Sequence, residues 1–123
     1  MSRFLLICVG GALGTGARYL VSSAMARLAQ FPLGTLTVNV AGSFLISLVM
    51  GWAADRGGIP EGTRLVLVTG VLGGFTTYSS FNFETLRLAQ AGAPALAFLN
   101  LGVTLFGCLA AGMLGLMAAR AMG

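Results

Sequence analysis

The stretch LVLVTGVLGGFTTYSSFNF, residues 65–83, decides how the rest of the chain is read. It contains no charged residue, and a helix needs about 20 predominantly apolar residues to cross a hydrocarbon core of roughly 30 Å. The stretch is not uniform, however. Gly73 and Gly74 are adjacent, and Thr76, Thr77, Tyr78, Ser79 and Ser80 follow them closely. Adjacent glycines weaken a helix, and clustered hydroxyls offer its backbone competing hydrogen bonds. The expectation is a membrane-spanning helix broken near its middle, between Gly73 and Thr77. Irregular backbone at membrane depth is tolerated only inside protein or beside a water-filled cavity, where its freed carbonyls can coordinate cations.

Three more runs of the same kind flank this one. Only Arg18 is charged between Phe4 and Met25, and nothing is charged from Pro32 to Ala54 or from Leu88 to Ala119. The reading is therefore an all-α integral membrane protein, one domain over residues 1–123, with spans at about 4–26, 32–54, 64–88 and 92–119. Composition agrees: apolar residues make up 57% of the 123 positions, charged residues 8%, and the mean hydropathy is +0.93. A soluble domain carries about 25% charged residues. Arg3, the apolar run after it and Ala24-Met25-Ala26 resemble a secretory signal peptide. Arg18 and Tyr19 fall where such a peptide should be apolar, so this segment is read as the first span.

The formal net charge of +4 invites a nucleic-acid reading, but no basic cluster is present to follow phosphates. Instead the arginines mark span ends. With four spans, both termini share a side with the loop from Asp55 to Arg64. That side carries Arg3, Arg56, Arg64 and Arg120; the other carries Arg27 and Arg87, with Arg18 if it snorkels there. By the positive-inside rule this is a weak bias toward cytoplasmic termini, and it permits insertion in both orientations. Cys8 and Cys108 lie within apolar runs without ligand-like neighbours, where thiols behave as small hydrophobes.

Polar groups inside a membrane are costly and usually face a bundle interior or a watery path. Thr35, Asn39, Ser43 and Ser47 recur every four residues in the second span, as do Asn100, Thr104 and Cys108 in the fourth. Each series follows one slowly drifting helix face. Two such faces either line a path together or serve interhelical hydrogen bonding. Tyr78 and Phe81, three residues apart, present both rings to one side. Arg18 either anchors at the interface or places a positive charge in an anion-collecting vestibule. Glu84 is expected to pair with a nearby arginine. Gly10/Gly14 and Gly70/Gly74 have the GxxxG spacing of close helix contacts, within one protomer or between two.

Other function classes fare worse. A four-span proton-coupled multidrug exporter needs a carboxylate embedded in the membrane, and the first span has no acid. A purely structural subunit leaves the polar third-span segment unexplained. With no histidine, and with its three carboxylates (Asp55, Glu61 and Glu84) confined to span boundaries, the chain offers no general acid–base pair for an enzyme.

Three strings, GGALGTGARY at Gly10–Tyr19, GTLTVNVAGSF at Gly34–Phe44 and GGFTTYSSFNFE at Gly73–Glu84, carry a family likeness. In this order and spacing the chain resembles the CrcB/Fluc fluoride channels of bacteria, over nearly its whole length. The resemblance implies an antiparallel, dual-topology homodimer in the inner membrane. It implies two fluoride pores, each built from both protomers, through which cytoplasmic fluoride leaves the cell, and hence fluoride resistance. It also implies a central sodium ion held by the backbone carbonyls of Gly73 and Thr76. The pore asparagine maps to Asn39, the two pore-facing rings to Tyr78 and Phe81, the vestibule arginine to Arg18, and the fourth-span polar track to Asn100 and Thr104. Ser79 and Ser80 add hydroxyls. The implied partners are fluoride, membrane lipid and a second copy of the chain, with no nucleic acid. Such a pore must replace fluoride's lost water with donors, which amide N–H, hydroxyl O–H and the positive edge of an aromatic ring can supply. Two positions depart from the family pattern: Tyr78 stands where Phe is usual, and Asn100 where an aromatic is expected.

Overall fold

The three prolines of the chain fix where helices begin. Proline has no N–H to lose at a helix start, and its φ is already helical there. Pro32 precedes α2 (Leu33–Arg56), Pro60 precedes α3 (Glu61–Leu65), and Pro94 opens α6 (Pro94–Ala121). Together with α1 (Ser2–Met25), a π-helical stretch (Val66–Leu72), α4 (Gly73–Phe75) and α5 (Tyr78–Gln90), these make up a computed structural model that describes residues 2–122, apart from the side chains of Asp55 and Arg56. The described residues are helical with short connections, and no strand occurs among them.

Three helices, α1, α2 and α6, are each long and apolar enough to cross a membrane. The third helical segment runs from Glu61 to Gln90 and no single piece of it reaches that length, because it is interrupted as its sequence foretells. Thr76 (φ −90°, ψ 158°) and Thr77 (φ −153°, ψ 122°) are extended, which separates α4 from α5. The π-helical turns just before the break, Val66–Leu72, were not expected from the sequence. Such turns are rare in proteins and often accompany functional sites.

Two parallel helix pairs build the molecule. In the first, α1 packs along the segment before the break. Gly10 lies against Val66 and Val71, Gly70 against Ile7 and Gly10, and Gly74 against Gly11 and Thr15. Both GxxxG pairs therefore face each other inside one protomer, which settles the alternative that spacing left open. The approach is close enough that a Cβ on Gly14 would collide with the Val71 carbonyl. In the second pair, α2 packs along α6, with Val40 beside Gly107, Ser43 and Ser47 beside Gly112, and Phe44 beside Gly115. After the break α5 leaves α1 and crosses to this second pair, touching α2 through Asn39 and Thr35 and α6 through Asn100. Each parallel pair starts from its own end of the molecule. The N-terminus, the α2–α3 connection and the end of α6 share one end, and the 26–32 and 91–93 connections share the other.

Candidate functional site

The break is held by side chains that the neighbouring sequence supplies. Thr77 caps α5: its Oγ1 accepts the Ser80 N–H at 3.3 Å and donates to Ser80 Oγ at 3.2 Å, with Ser79 Oγ at 3.4 Å. The peptide groups of Thr77 turn the other way, to α2. Asn39 Oδ1 accepts the Thr77 N–H at 2.8 Å, and Asn39 Nδ2 donates to the Thr77 carbonyl at 2.8 Å. One amide side chain thus pairs with both backbone groups of one residue, as a neighbouring strand would. In an unbroken helix the Thr77 N–H would go to the Gly73 carbonyl. Its diversion to Asn39 releases that carbonyl from its helical bond.

Beside the break lies an open groove of about 720 Å³. Its walls come from both polar faces singled out in the sequence: Asn39, Ser43 and Ser47 from α2, and Thr104 and Cys108 from α6. Gly73 and Thr76 border it, and Tyr78 and Phe81 stand at its side. The two rings meet edge to face, with centroids 5.8 Å apart and planes at 61°. Thr104 is only 7% exposed, and its hydroxyl has no hydrogen-bond partner. A buried hydroxyl without a partner costs of order 1–3 kcal/mol, so Thr104 keeps a hydroxyl just behind the groove lining at some expense to stability.

Other expected site residues lie elsewhere. Ser79 and Ser80 are outside the groove lining, engaged with the Thr77 cap. Asn100 is 1% exposed and donates to Thr85 Oγ1 at 2.8 Å, so in this protomer it faces α5 and not the groove. Arg18 is half-buried on α1 and borders neither this groove nor the second cavity. That second cavity, of about 690 Å³, opens at the opposite end of α5 between the 26–32 and 91–93 connections, with Thr35, Glu84 and Arg87 among its lining.

Glu84 corrects an expectation. Its partner is not an arginine: Glu84 Oε1 accepts the Thr35 hydroxyl at 2.8 Å, and its Oε2 is buried without a partner. Arg87, one turn further along α5, instead lies over the Phe83 ring at 6.0 Å. The carboxylate faces α2, where Thr35 arrives from across the bundle, and the long Arg87 side chain follows its own helix back to the ring. Among the described residues no group of three His, Cys, Asp or Glu side chains could hold a metal.

A break pinned by an amide and flanked by two rings thus lies beside a groove with one buried hydroxyl, and the sequence that builds it has known relatives. The family model for CrcB-like protein, Camphor Resistance (CrcB), matches residues 5–116. The chain belongs to the CrcB-like family. Curated relatives agree: a protein of Anaeromyxobacter dehalogenans is 53% identical over 113 residues, 90% of each chain. One of Sorangium cellulosum is 48% identical over 122 residues, 98% of this chain and 96% of its own. One of Geobacter sp. is 42% identical over 124 residues, 99% of this chain and all of its own. Each of these is named a fluoride-specific ion channel, FluC. The family is thus one of ion channels and not of enzymes.

The CrcB-like match spans all four helical segments and both sides of the break. The capping role of Thr77, which the sequence marked only as the end of the break, and the part played by Thr85 in this family member went unread. Thr77 had a local signal, since a hydroxyl residue three positions before another at a helix start is a capping pattern. Thr85 had a weaker one: it sits four residues after Phe81, close enough to bond that residue's carbonyl, as it does at 2.7 Å.

Proposed function

We propose that the protein is a fluoride-selective channel of the bacterial inner membrane through which cytoplasmic fluoride leaves the cell. The observation that carries this reading is the 53% identity, over 90% of both chains, to a protein named a fluoride-specific ion channel. The groove supports it chemically. Fluoride shedding its water needs hydrogen-bond donors, and this wall offers the second N–H of Asn39 and the hydroxyls of Ser43 and Ser47, with the unpartnered Thr104 hydroxyl buried behind the lining. The edges of Tyr78 and Phe81 add positive potential without a full charge that would trap the ion. Ser79 and Ser80 join the same path in the working assembly, and Arg18 collects anions at its mouth.

That assembly is an antiparallel, dual-topology homodimer with two pores, each lined by both copies. What supports association is the surface left by a single chain. Tyr78 is 78% exposed, and Gly73 and Ser79, at the break, are exposed as well. Polar side chains and irregular backbone at mid-membrane depth do not face lipid, so a second copy covering them resolves the conflict.

A sodium ion on the dimer axis belongs to the same reading. The Gly73 carbonyl, freed from its helical bond, and the carbonyl of extended Thr76 would hold it. Unwound backbone oxygens are the donor class that binds such a cation at a broken span. Bound there, it supplies a fixed positive charge between the two copies.

Efflux from liposomes containing the purified protein, with fluoride and chloride compared side by side, tests the proposal. Rapid fluoride release with negligible chloride release is expected. Folded dimer that releases neither ion, or both alike, overturns it.

A further inference from the structure

Helix α5 carries both rings but is short, Tyr78–Gln90, and begins at a break, so the chain before it does little to fix its rotation. Two polar clamps tie it to α2: Asn39 to the Thr77 peptide and Thr35 to Glu84. The side facing α6 has one polar tie. Asn100, 1% exposed, donates to Thr85 Oγ1 at 2.8 Å, and the Thr85 hydroxyl donates to the Phe81 carbonyl at 2.7 Å. This relay runs from α6 into the turn of α5 that bears Phe81. Thr85 is itself 8% exposed, so the contact is shielded from competing solvent.

We infer that Asn100 and Thr85 form a latch that sets the rotation of α5 against α6 and thereby aims Phe81, making both positioning residues for the ion path. The functional part of this inference rests on the fluoride-channel reading; the latch itself does not. Hydrogen bonds are directional and apolar contact is not. A leucine and a valine in these places would fill the same space yet leave the α6 side of the helix held by apolar contact alone. The latch also explains how an asparagine occupies a position where an aromatic was expected. Here it reaches across to Thr85 and leaves the groove wall to Thr104 and Cys108.

A double-mutant cycle tests this. Thr85→Val strands the buried Asn100 amide and should lower the melting temperature most. Asn100→Leu leaves the Thr85 hydroxyl still bonded to Phe81, and the double variant strands nothing, so its melting temperature should return to near wild type. Fluoride efflux should behave differently. Each single variant should lose about tenfold, the size of coupling seen between residues in contact, and the double variant should lose no more than either. Thr85→Ser, which keeps the hydroxyl, should retain wild-type efflux. Full efflux from folded Thr85→Val or from the double variant overturns the latch. So does a double-variant loss equal to the product of the single losses, the result expected if Asn100 met the ion directly.

A second readout does not depend on transport. With para-fluorophenylalanine incorporated at position 81, the wild type and Thr85→Ser should give one 19F resonance in fluoride-free buffer. Asn100→Leu should shift or split it. An unchanged single line in Asn100→Leu refutes the latch whether or not the wild type conducts. Wild type without fluoride efflux but with the shifted line would refute the channel reading alone.

Discussion

Asn39 does two things with one amide. Its oxygen and one N–H hold the Thr77 peptide extended, leaving the second N–H for the groove. Asn39→Asp therefore removes more than a donor: an ionised carboxylate still accepts from the Thr77 N–H but sets an oxygen against the Thr77 carbonyl and a negative charge beside the path. An orphaned backbone acceptor costs about 1–3 kcal/mol, and fluoride efflux is expected to fall by at least tenfold, to the point of abolition. Unchanged efflux from folded protein would remove Asn39 from both roles. Thr104 gives the opposite sign for stability. Thr104→Val deletes an unpartnered buried hydroxyl, so the protein should melt higher, by the equivalent of about 1 kcal/mol, while conducting more slowly. Thermal melting and efflux on the same preparation check the split. A lower melting temperature would mean that the hydroxyl has a partner in the assembly.

At the scale of helices, the most demanding contacts involve glycine, and α6 provides a matched pair. A Cβ on Gly115 would collide with the Phe44 carbonyl and crowd Leu48 N at 3.1 Å, whereas one on Gly107 would meet only Val40 Cγ2 at 3.4 Å. Gly115→Ala should push α2 and α6 apart at a cost of about 1–3 kcal/mol, and Gly107→Ala should stay within about 0.5 kcal/mol. The fraction of folded protein surviving a heating series separates the two, and equal losses would mean that the α2–α6 seam does not close at Gly115. The pair also shows what could be read in advance. Three uncharged runs, and a fourth interrupted only by Arg18, declared the helical segments because a charge in lipid is so costly, and Gly73-Gly74 with the hydroxyls behind them declared the break. Partners were not legible. Gly10/Gly14 and Gly70/Gly74 have the right spacing, but spacing does not say which helix they meet. Asn100 shares a face with Thr104 and Cys108, and that spacing pointed it to the groove. Its engagement with Thr85 follows from how α5 swings across after the break, which no local pattern encodes.

For the whole molecule, the arginines pose a question of direction. One end carries Arg3, Arg64 and Arg120, with Arg56 in the same connection; the other carries Arg27 and Arg87. Arg3 lies near Gly62 of α3, with its Nε 3.9 Å from where a Gly62 Cβ would lie. Topology follows the excess of Lys and Arg near span ends, and a difference this small leaves both orientations accessible. An antiparallel pair needs both in comparable amounts from one gene product. A tag cleavable by protease, fused after Gly123, should therefore be lost from roughly half the molecules when the outer face of intact spheroplasts is digested, because each orientation places the C-terminus on a different side. Adding two lysines to the 26–32 connection should shift the ratio toward that connection being cytoplasmic. The same variant should lose fluoride efflux as the pool becomes single-handed, and co-expression with a variant biased the other way should restore it. Uniform protection or uniform cleavage in the unmodified protein would rule out the antiparallel dimer. The exposed Tyr78 and Gly73 would then have to be covered by a parallel neighbour, whose two copies would present the break to the membrane at the same depth and in the same direction.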